Sequence, residues 1–374
     1  MSQPKKIAII GASYLQLPVV EKANELGIVT HCFAYLEGAV CKDHCSKFHP
    51  ISILEKDEIL EICRTLKIDG VLSIASDLAV VTVNYIAHHM GLIGNDLNSS
   101  EITTNKYKMK QVLVENDLPT AKFEIIRSEE DLERVSIFEY PLIVKPVDRS
   151  GSLGVSKINS SEELSLAFNQ ALKVSLCKEV IVEEFISGKE ISVESISQNG
   201  SHRILAFTDK VTNGAPNFVE LEHHQPAQLS TVVQAEIERL VPIALDVLQV
   251  SNGAAHSELF ITSSGSVYFN EIGARMGGDF IGSHLVELST GFDYLNAVVE
   301  TALGTPLSKK EGTKYYSGVI FRNESNANDF DSLSASDDFV IELESNLQDE
   351  KVLSKSGDRG NYLIYQSDKR VNFG

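Results

Sequence analysis

An α/β domain on a parallel sheet, an α+β region after it and a small β-rich C-terminal piece are the architecture this 374-residue chain predicts. Three observations lead there. Over the first hundred residues, short apolar runs alternate with helical patterns. From about residue 120, short strands crowd around single helices. After Pro306 the sequence turns strand-like and polar, and no internal repeat interrupts the order.

The elements follow in sequence order. KIAIIG, Lys6 to Gly11, reads as a buried strand, and Leu15 to Leu26 as the helix after it, ended by Gly27. Ile59, Ile62, Cys63 and Leu66 recur at helical spacing before the strand VLSIA, and a third helix covers Leu78 to Met90. Ligands of such sheets sit at the carboxyl ends of strands, where Gly11, Ser76 and Asp77 fall. A helix from about Thr104 to Glu115 leads into the strands KFEIIR, YPLIVKP, GVSKI, EVIVEEFI and EISVESI, with one helix opened by Ser160 and Glu163. The long helix QAEIERLVPIALDVLQV then precedes the strand pair AHSELFIT and SVYFNEIG.

Composition is that of a globular protein, with 43% hydrophobic and 23% charged residues. A formal charge of −19 repels nucleic acid and anionic membrane, so a bound polyphosphate requires cations concentrated locally. Five cysteines without a framework spacing fit reduced thiols in a cytoplasmic protein. Met1 to Lys6 is polar and unlike a signal peptide, and no apolar run reaches the roughly 18–20 residues of a membrane helix. His31, Cys32, Cys41, His44, Cys45 and His49 suggest zinc, although scattered thiols and surface histidines account for them as well.

The most informative geometry is in HSELFITSSGSVYFNEIG. A two-residue turn at Ser264-Gly265 puts Ser263 opposite Ser266 and, counting outward, Glu258 opposite Glu271. Carboxylates so placed have Cβ atoms roughly 4.5–5.5 Å apart and call for a neutralising cation; magnesium held by one or two carboxylates and phosphate oxygens is one answer. Two solvated glutamates, with a bulge that shifts the register, are the plain alternative. In PLIVKPVDRSGSLGVSKI, Lys145 ends a strand and Gly151 and Gly154 let the following loop approach a phosphate. The lysine precedes the glycines, so this is neither a Walker A loop nor a dinucleotide fingerprint. In IVEEFISGKE the adjacent Glu183 and Glu184 point to opposite faces of a strand, with Glu190 beyond a Gly188 turn.

Taken together, Lys106 in TNKYKMKQVL, Lys145 with its glycine loop, EEFISGKE, Glu258 and NEIGAR occur in an order that resembles the ATP-grasp superfamily. The run EIGARMGGD is most similar to its amino-acid ligase and carbamoyl-phosphate-synthase-like branch. The resemblance implies a pre-ATP-grasp domain over residues 1–104, an ATP-grasp fold over 105–310 with a small lobe at about 120–186, and a small β-rich domain over 311–374. It implies ATP and Mg2+ as cofactors, with Mn2+ an alternative metal. Lys106 and Lys145 would contact the phosphates, and Arg149, Ser150, Gly151, Ser152 and Gly154 would close over them. Glu183 would meet the adenine amino group, the main chain of Glu184, Phe185 and Ile186 the base edge, and Glu190 the ribose. Glu258 and Glu271 would hold the metal, and Arg275, with Lys145, would steady the substrate carboxylate and the acyl phosphate.

One departure stands out. Many members carry asparagine two residues after the second metal glutamate, where this chain has Gly273, and Asn270 should face away on the strand. On the substrate side Asp77, His223, His224 and Gly273 are the candidates, the histidines in a loop. The implied function is a cytoplasmic ATP-dependent ligase joining a small-molecule carboxylate to an amine, a homodimer without nucleic-acid or membrane partners. Carboxyphosphate-forming chemistry and a non-catalytic nucleotide sensor are the competing readings.

Overall fold

Strand β1, Lys6–Ile10, is apolar along its whole length because both faces of its sheet are covered. The computed structural model describes residues 3–215, 218–308, 312, 314–324, 326–334, 340–344 and 356–371. Parts of the expected 311–374 domain therefore lie outside the described residues, as do Met1 and Ser2 of the polar start. With β2 (Val29–Phe33), β3 (Lys47–His49) and β4 (Gly70–Leu72), β1 forms a parallel sheet in the order β3-β2-β1-β4. Ile7 and Ile9 pack on helices Leu17–Glu25 and Tyr294–Ala302, while Ala8 and Ile10 pack on helices Lys56–Leu66 and Asp77–Met90. Cys32, Cys41 and Cys63 are buried in these two cores, and no group of three His, Cys, Asp or Glu side chains among the described residues could hold a metal.

The α+β region has two antiparallel sheets. The smaller, in the order β5-β8-β6-β7, comprises β5 (Phe123–Ile126), β6 (Leu142–Pro146), β7 (Ser156–Ile158) and β8 (Val180–Glu184), backed by helix Leu164–Val174. The larger has eight strands: β9 (Lys189–Gln198), β10 (Ser201–Thr212), β11 (Glu220–Gln225), β12 (Gly253–Ile261), β13 (Val267–Gly273), β14 (Tyr316–Phe321), β15 (Val340–Glu344) and β16 (Tyr362–Ser367). Their order is β13-β12-β9-β10-β11-β14-β16-β15. The C-terminal piece is β-rich as expected, and the three strands among its described residues extend this large sheet through the β11–β14 pairing. Helices Lys106–Glu115 and Thr231–Val247 cover one face of the sheet. Helix Tyr294–Ala302 packs between the other face and the N-terminal sheet, where the buried Tyr294 hydroxyl donates to the Ser195 carbonyl at 2.7 Å.

The β12–β13 hairpin decides the site. Glu258 pairs with Glu271, the partnership read from the sequence. The expected two-residue turn does not form, however. Thr262 and Ser266 close a three-residue loop with Gly265 at φ +84°, so Ile261 pairs with Val267 and Leu259 with Phe269. A bulge then leaves Asn270 as an extra residue between the Leu259–Phe269 and Glu258–Glu271 pairs, which restores the outer register. Two local departures cancel at the glutamates.

Candidate active site

The two sheets enclose a cavity of about 580 Å³, within the range of small-ligand sites. Lys106, Lys145, Arg149, Ser150, Gly151, Ser152, Glu183, Glu184, Phe185, Ile186, Glu190, Glu258, Glu271, Gly273 and Arg275 all line it. Residues from four separated stretches of sequence are thereby brought to one place. Lys106 opens a helix capped by the Asn105 side chain, and its Nζ donates to Glu271 Oε1 at 2.8 Å and to the Arg149 carbonyl at 2.6 Å. Lys145, from β6, reaches Glu183 Oε1 at 3.0 Å and donates to Asn270 Oδ1 at 3.3 Å. Glu183 and Glu184 do face opposite ways: Glu183 is buried among lysines, and Glu184 pairs with the exposed Lys122 at 3.2 Å.

The structure places several of these residues otherwise than expected. Asn270 was placed on the far side of its strand; the bulge turns it into the cavity, where its Nδ2 donates to Glu258 Oε2 at 3.2 Å. Gly154 does not border the cavity. A Cβ there would lie 2.5 Å from Val174 Cγ2, so this glycine seats the loop on helix Leu164–Val174. Asp77, a candidate for a substrate amine, is not a cavity residue and is clamped by Arg275, with Nε to Oδ1 at 2.8 Å and Nη2 to Oδ2 at 3.0 Å. His223 and His224 lie on β11 and not in a loop; both are buried and neither borders the cavity. His223 Nε2 meets Asp279 Oδ2 at 3.4 Å, and His224 bridges Tyr365 and Glu222, each at 2.8 Å.

The sequence reading missed several residues. Lys110 lies one helical turn beyond Lys106, a spacing that signals a shared face. It is buried, donates to Thr120 Oγ1 at 2.7 Å and lies 3.4 Å from Glu183 Oε2. Burial, with Lys145 adding to it and Glu183 opposing, pushes its pKa down to about 8. Lys210, from β10, lies 2.7 Å from both Glu190 Oε1 and Glu258 Oε1 and 3.7 Å from Glu220 Oε1. Despite burial, these glutamates raise Lys210 well above its ordinary value, while Lys210 and His256 hold Glu258 well below the usual carboxylate range. Arg370, near the C-terminus, borders the cavity and pairs with Asp209 at 2.6 Å.

Beneath Glu258 lies a buried ion pair. His256 Nδ1 is hydrogen-bonded to the fully buried Glu194, and its Nε2 is 3.3 Å from Glu258 Oε1. Burial opposes the imidazolium, but Glu194 and Glu258 outweigh it and raise the His256 pKa to about 9. Glu194 also accepts the Gly277 N–H at 2.9 Å, so one carboxylate supports both Glu258 and the loop after Arg275. A Cβ at Gly277 would fall 2.7 Å from Glu194 Oε1 and 2.8 Å from His256 Nδ1.

The donor set suits a hard divalent cation. Glu258 and Glu271 are register partners whose oxygens contact Lys210, His256, Asn270 and Lys106, all groups suited to a carboxylate or a phosphate. No third Asp, Glu, His or Cys joins them in a metal-holding group among the described residues, so a cation held here would need further oxygens from a ligand or from other side chains.

Residues 138–283 match the family model of the ATP-grasp domain. The chain is 26% identical over 287 residues to the formate-dependent phosphoribosylglycinamide formyltransferase of Prochlorococcus marinus, covering 73% of this chain and 70% of that protein. Its fold matches that of an L-amino acid ligase from Bacillus licheniformis with a TM-score of 0.83 at 23% identity, covering 99% of this chain and 95% of the other. An N5-carboxyaminoimidazole synthetase from Staphylococcus aureus, solved with ADP, matches with a TM-score of 0.79 at 14% identity, covering 99% and 95%.

Proposed function

We propose that the chain, whose residues 138–283 match the ATP-grasp domain, uses ATP to activate a carboxylate as an acyl phosphate, which an amine then attacks. The observation that carries this reading is the Glu258–Glu271 pair, in contact with Lys210 and Lys106, at the lining of a cavity of about 580 Å³ that Lys145 also borders. Lys106 and Lys145 exchange their glutamate partners for phosphate oxygens, Lys110 adds charge beside Lys145, and Lys210 adds charge beside Glu258. Glu258 and Glu271 would hold magnesium, which when bound supplies charge neutralisation at the terminal phosphates. Arg275 spends three N–H groups on Asp77 and the Met276 carbonyl, which leaves two of its five for a carboxylate in the cavity. The carboxylate attacks the γ-phosphorus, ADP leaves, and the amine displaces phosphate from the acyl carbon. The loop at residues 149–154, tied to the Phe218 carbonyl by Ser152 Oγ at 3.1 Å, shields the anhydride from water.

A second reading takes bicarbonate as the carboxylate, giving carboxyphosphate; the likeness to the carboxyaminoimidazole synthetase supports it. One assay separates the two. ADP release is measured against a panel of amino acids, formate and bicarbonate, with hydroxylamine present to trap acyl phosphate as hydroxamate. A hydroxamate with one organic acid supports the first reading, and ADP release that responds to bicarbonate alone supports the second. No carboxylate-dependent release in any arm sinks both.

A further inference from the structure

The strand that carries Glu271 offers the cavity a second oxygen-bearing side chain, and it comes from the bulge. Because Asn270 is the extra residue of β13, it does not alternate away from Glu271; both border the cavity. Its carboxamide lies between the two kinds of group a metal–phosphate complex needs, with Lys145 Nζ at 3.3 Å on one side and Glu258 Oε2 at 3.2 Å on the other. Position 273, the next residue on the cavity side, can offer nothing. A Cβ there would stand 3.0 Å from Asp77 Oδ1 and 3.1 Å from Arg275 Nε, inside the clamp that joins the N-terminal domain to the site.

We propose that Asn270 is a metal-binding residue, its Oδ1 completing an oxygen set with Glu258 and Glu271 for a divalent cation. This rests on reading the cavity as a metal–nucleotide site. Without a cation, the amide nitrogen satisfies Glu258 and the amide oxygen satisfies Lys145. A half-turn of the amide exchanges them, bringing oxygen to the Glu258 side and releasing Lys145 for an anion. Cation binding and the freeing of a phosphate-binding lysine are thereby linked through one side chain. A neutral oxygen also suits the site: Lys106, Lys210 and His256 already offset Glu258 and Glu271, and a third carboxylate at 270 would pair with Lys145 and hold it back from an anion.

The test counts bound Mn2+ from the free-ion signal in electron paramagnetic resonance, with saturating ADP, so it needs no turnover. The wild-type protein is expected to bind Mn2+ in the ADP complex, and Asn270→Ala to weaken that binding at least tenfold while metal-free ADP binding, with Lys145 freed of the amide oxygen, is no weaker than in the wild type, which confirms an intact fold. Asn270→Asp, which retains an oxygen and loses the nitrogen donor, should bind Mn2+ as tightly as wild type or more so. Equal affinity of wild type and Asn270→Ala overturns the assignment. So does an Asn270→Asp variant as weak as Asn270→Ala, since the nitrogen bond to Glu258 would then be the residue's role. Adding Gly273→Asn to Asn270→Ala should not restore binding; restoration would show position 273 to be open and Asn270 dispensable. Failure of the wild-type complex to bind Mn2+ defeats the reading of the cavity as well as this inference.

Discussion

The two walls of the cavity carry opposite charge imbalances. On the small-sheet side Lys110 and Lys145 share one buried carboxylate, Glu183. On the large-sheet side Lys210 is shared by Glu190, Glu220 and Glu258, while Glu271 has Lys106. Burial magnifies both conditions, since each charge has lost water. One wall therefore has positive charge to spare and the other negative charge to spare, an arrangement that would suit a phosphate and a cation bound together. A chain of net charge −19 achieves this by placing lysines, not by its overall field.

The comparison breaks most visibly at the acidic wall. Glu271→Gln is expected to lower magnesium-dependent ADP release by about 10²–10³-fold, the scale of losing one charge-stabilising group, and to tighten metal-free nucleotide binding. Turnover within threefold of wild type would deny the wall its role. On the basic wall, Lys145→Met should weaken ADP binding by about 10–100-fold in calorimetry, the worth of a charged hydrogen bond, and unchanged affinity would place the phosphates elsewhere.

A smaller effect concerns pH. His256 is raised to about 9 in the fold, so the stability its proton contributes is fully present below about 6.5 and is lost as pH rises through 9. Lys110, lowered to about 8, works in the other direction: its burial penalty is relieved as pH rises through 8 toward 10.5. The difference in denaturant midpoint between wild type and His256→Asn isolates the histidine. It should shrink between pH 7 and 10, and a constant difference would mean that His256 is neutral. The smallest effect is at Lys110, where nucleotide binding at pH 8 should take up a fraction of a proton. Calorimetry in buffers of different ionisation enthalpy measures it, and no buffer dependence would remove Lys110 from the phosphate wall.

Local pattern made the N-terminal sheet and the hairpin legible, because apolar runs and turn residues lie next to one another in sequence. Glu258 and Glu271 could be paired by counting even though the turn was misjudged, since the bulge at Asn270 offset the extra loop residue. Asn270 itself was misread for the same reason, because alternation is a rule for regular strands only. Lys110 was available from its spacing to Lys106. Lys210, Glu194 and Arg370 were not: they reach the site through β9–β10 pairing and the far end of the chain. His223 and His224 lie on β11 between β10, where they pair with Lys210 and Asp209, and β14, about ninety-five residues later, and only the first of these partners is near in sequence. The 1–104, 105–310 and 311–374 divisions remain a proposal, although the helix shared between two sheets shows how firmly the first two regions are joined.

The pairing of a cation-seeking wall with a phosphate-seeking wall is tested most directly by titrating ADP calorimetrically with and without Mg2+, in the wild-type protein and in Glu258→Gln/Glu271→Gln. Magnesium should tighten ADP at least tenfold in the wild type and leave the double variant unchanged. An equal gain in both proteins, or none in the wild type, would contradict a metal–nucleotide complex held at these two glutamates.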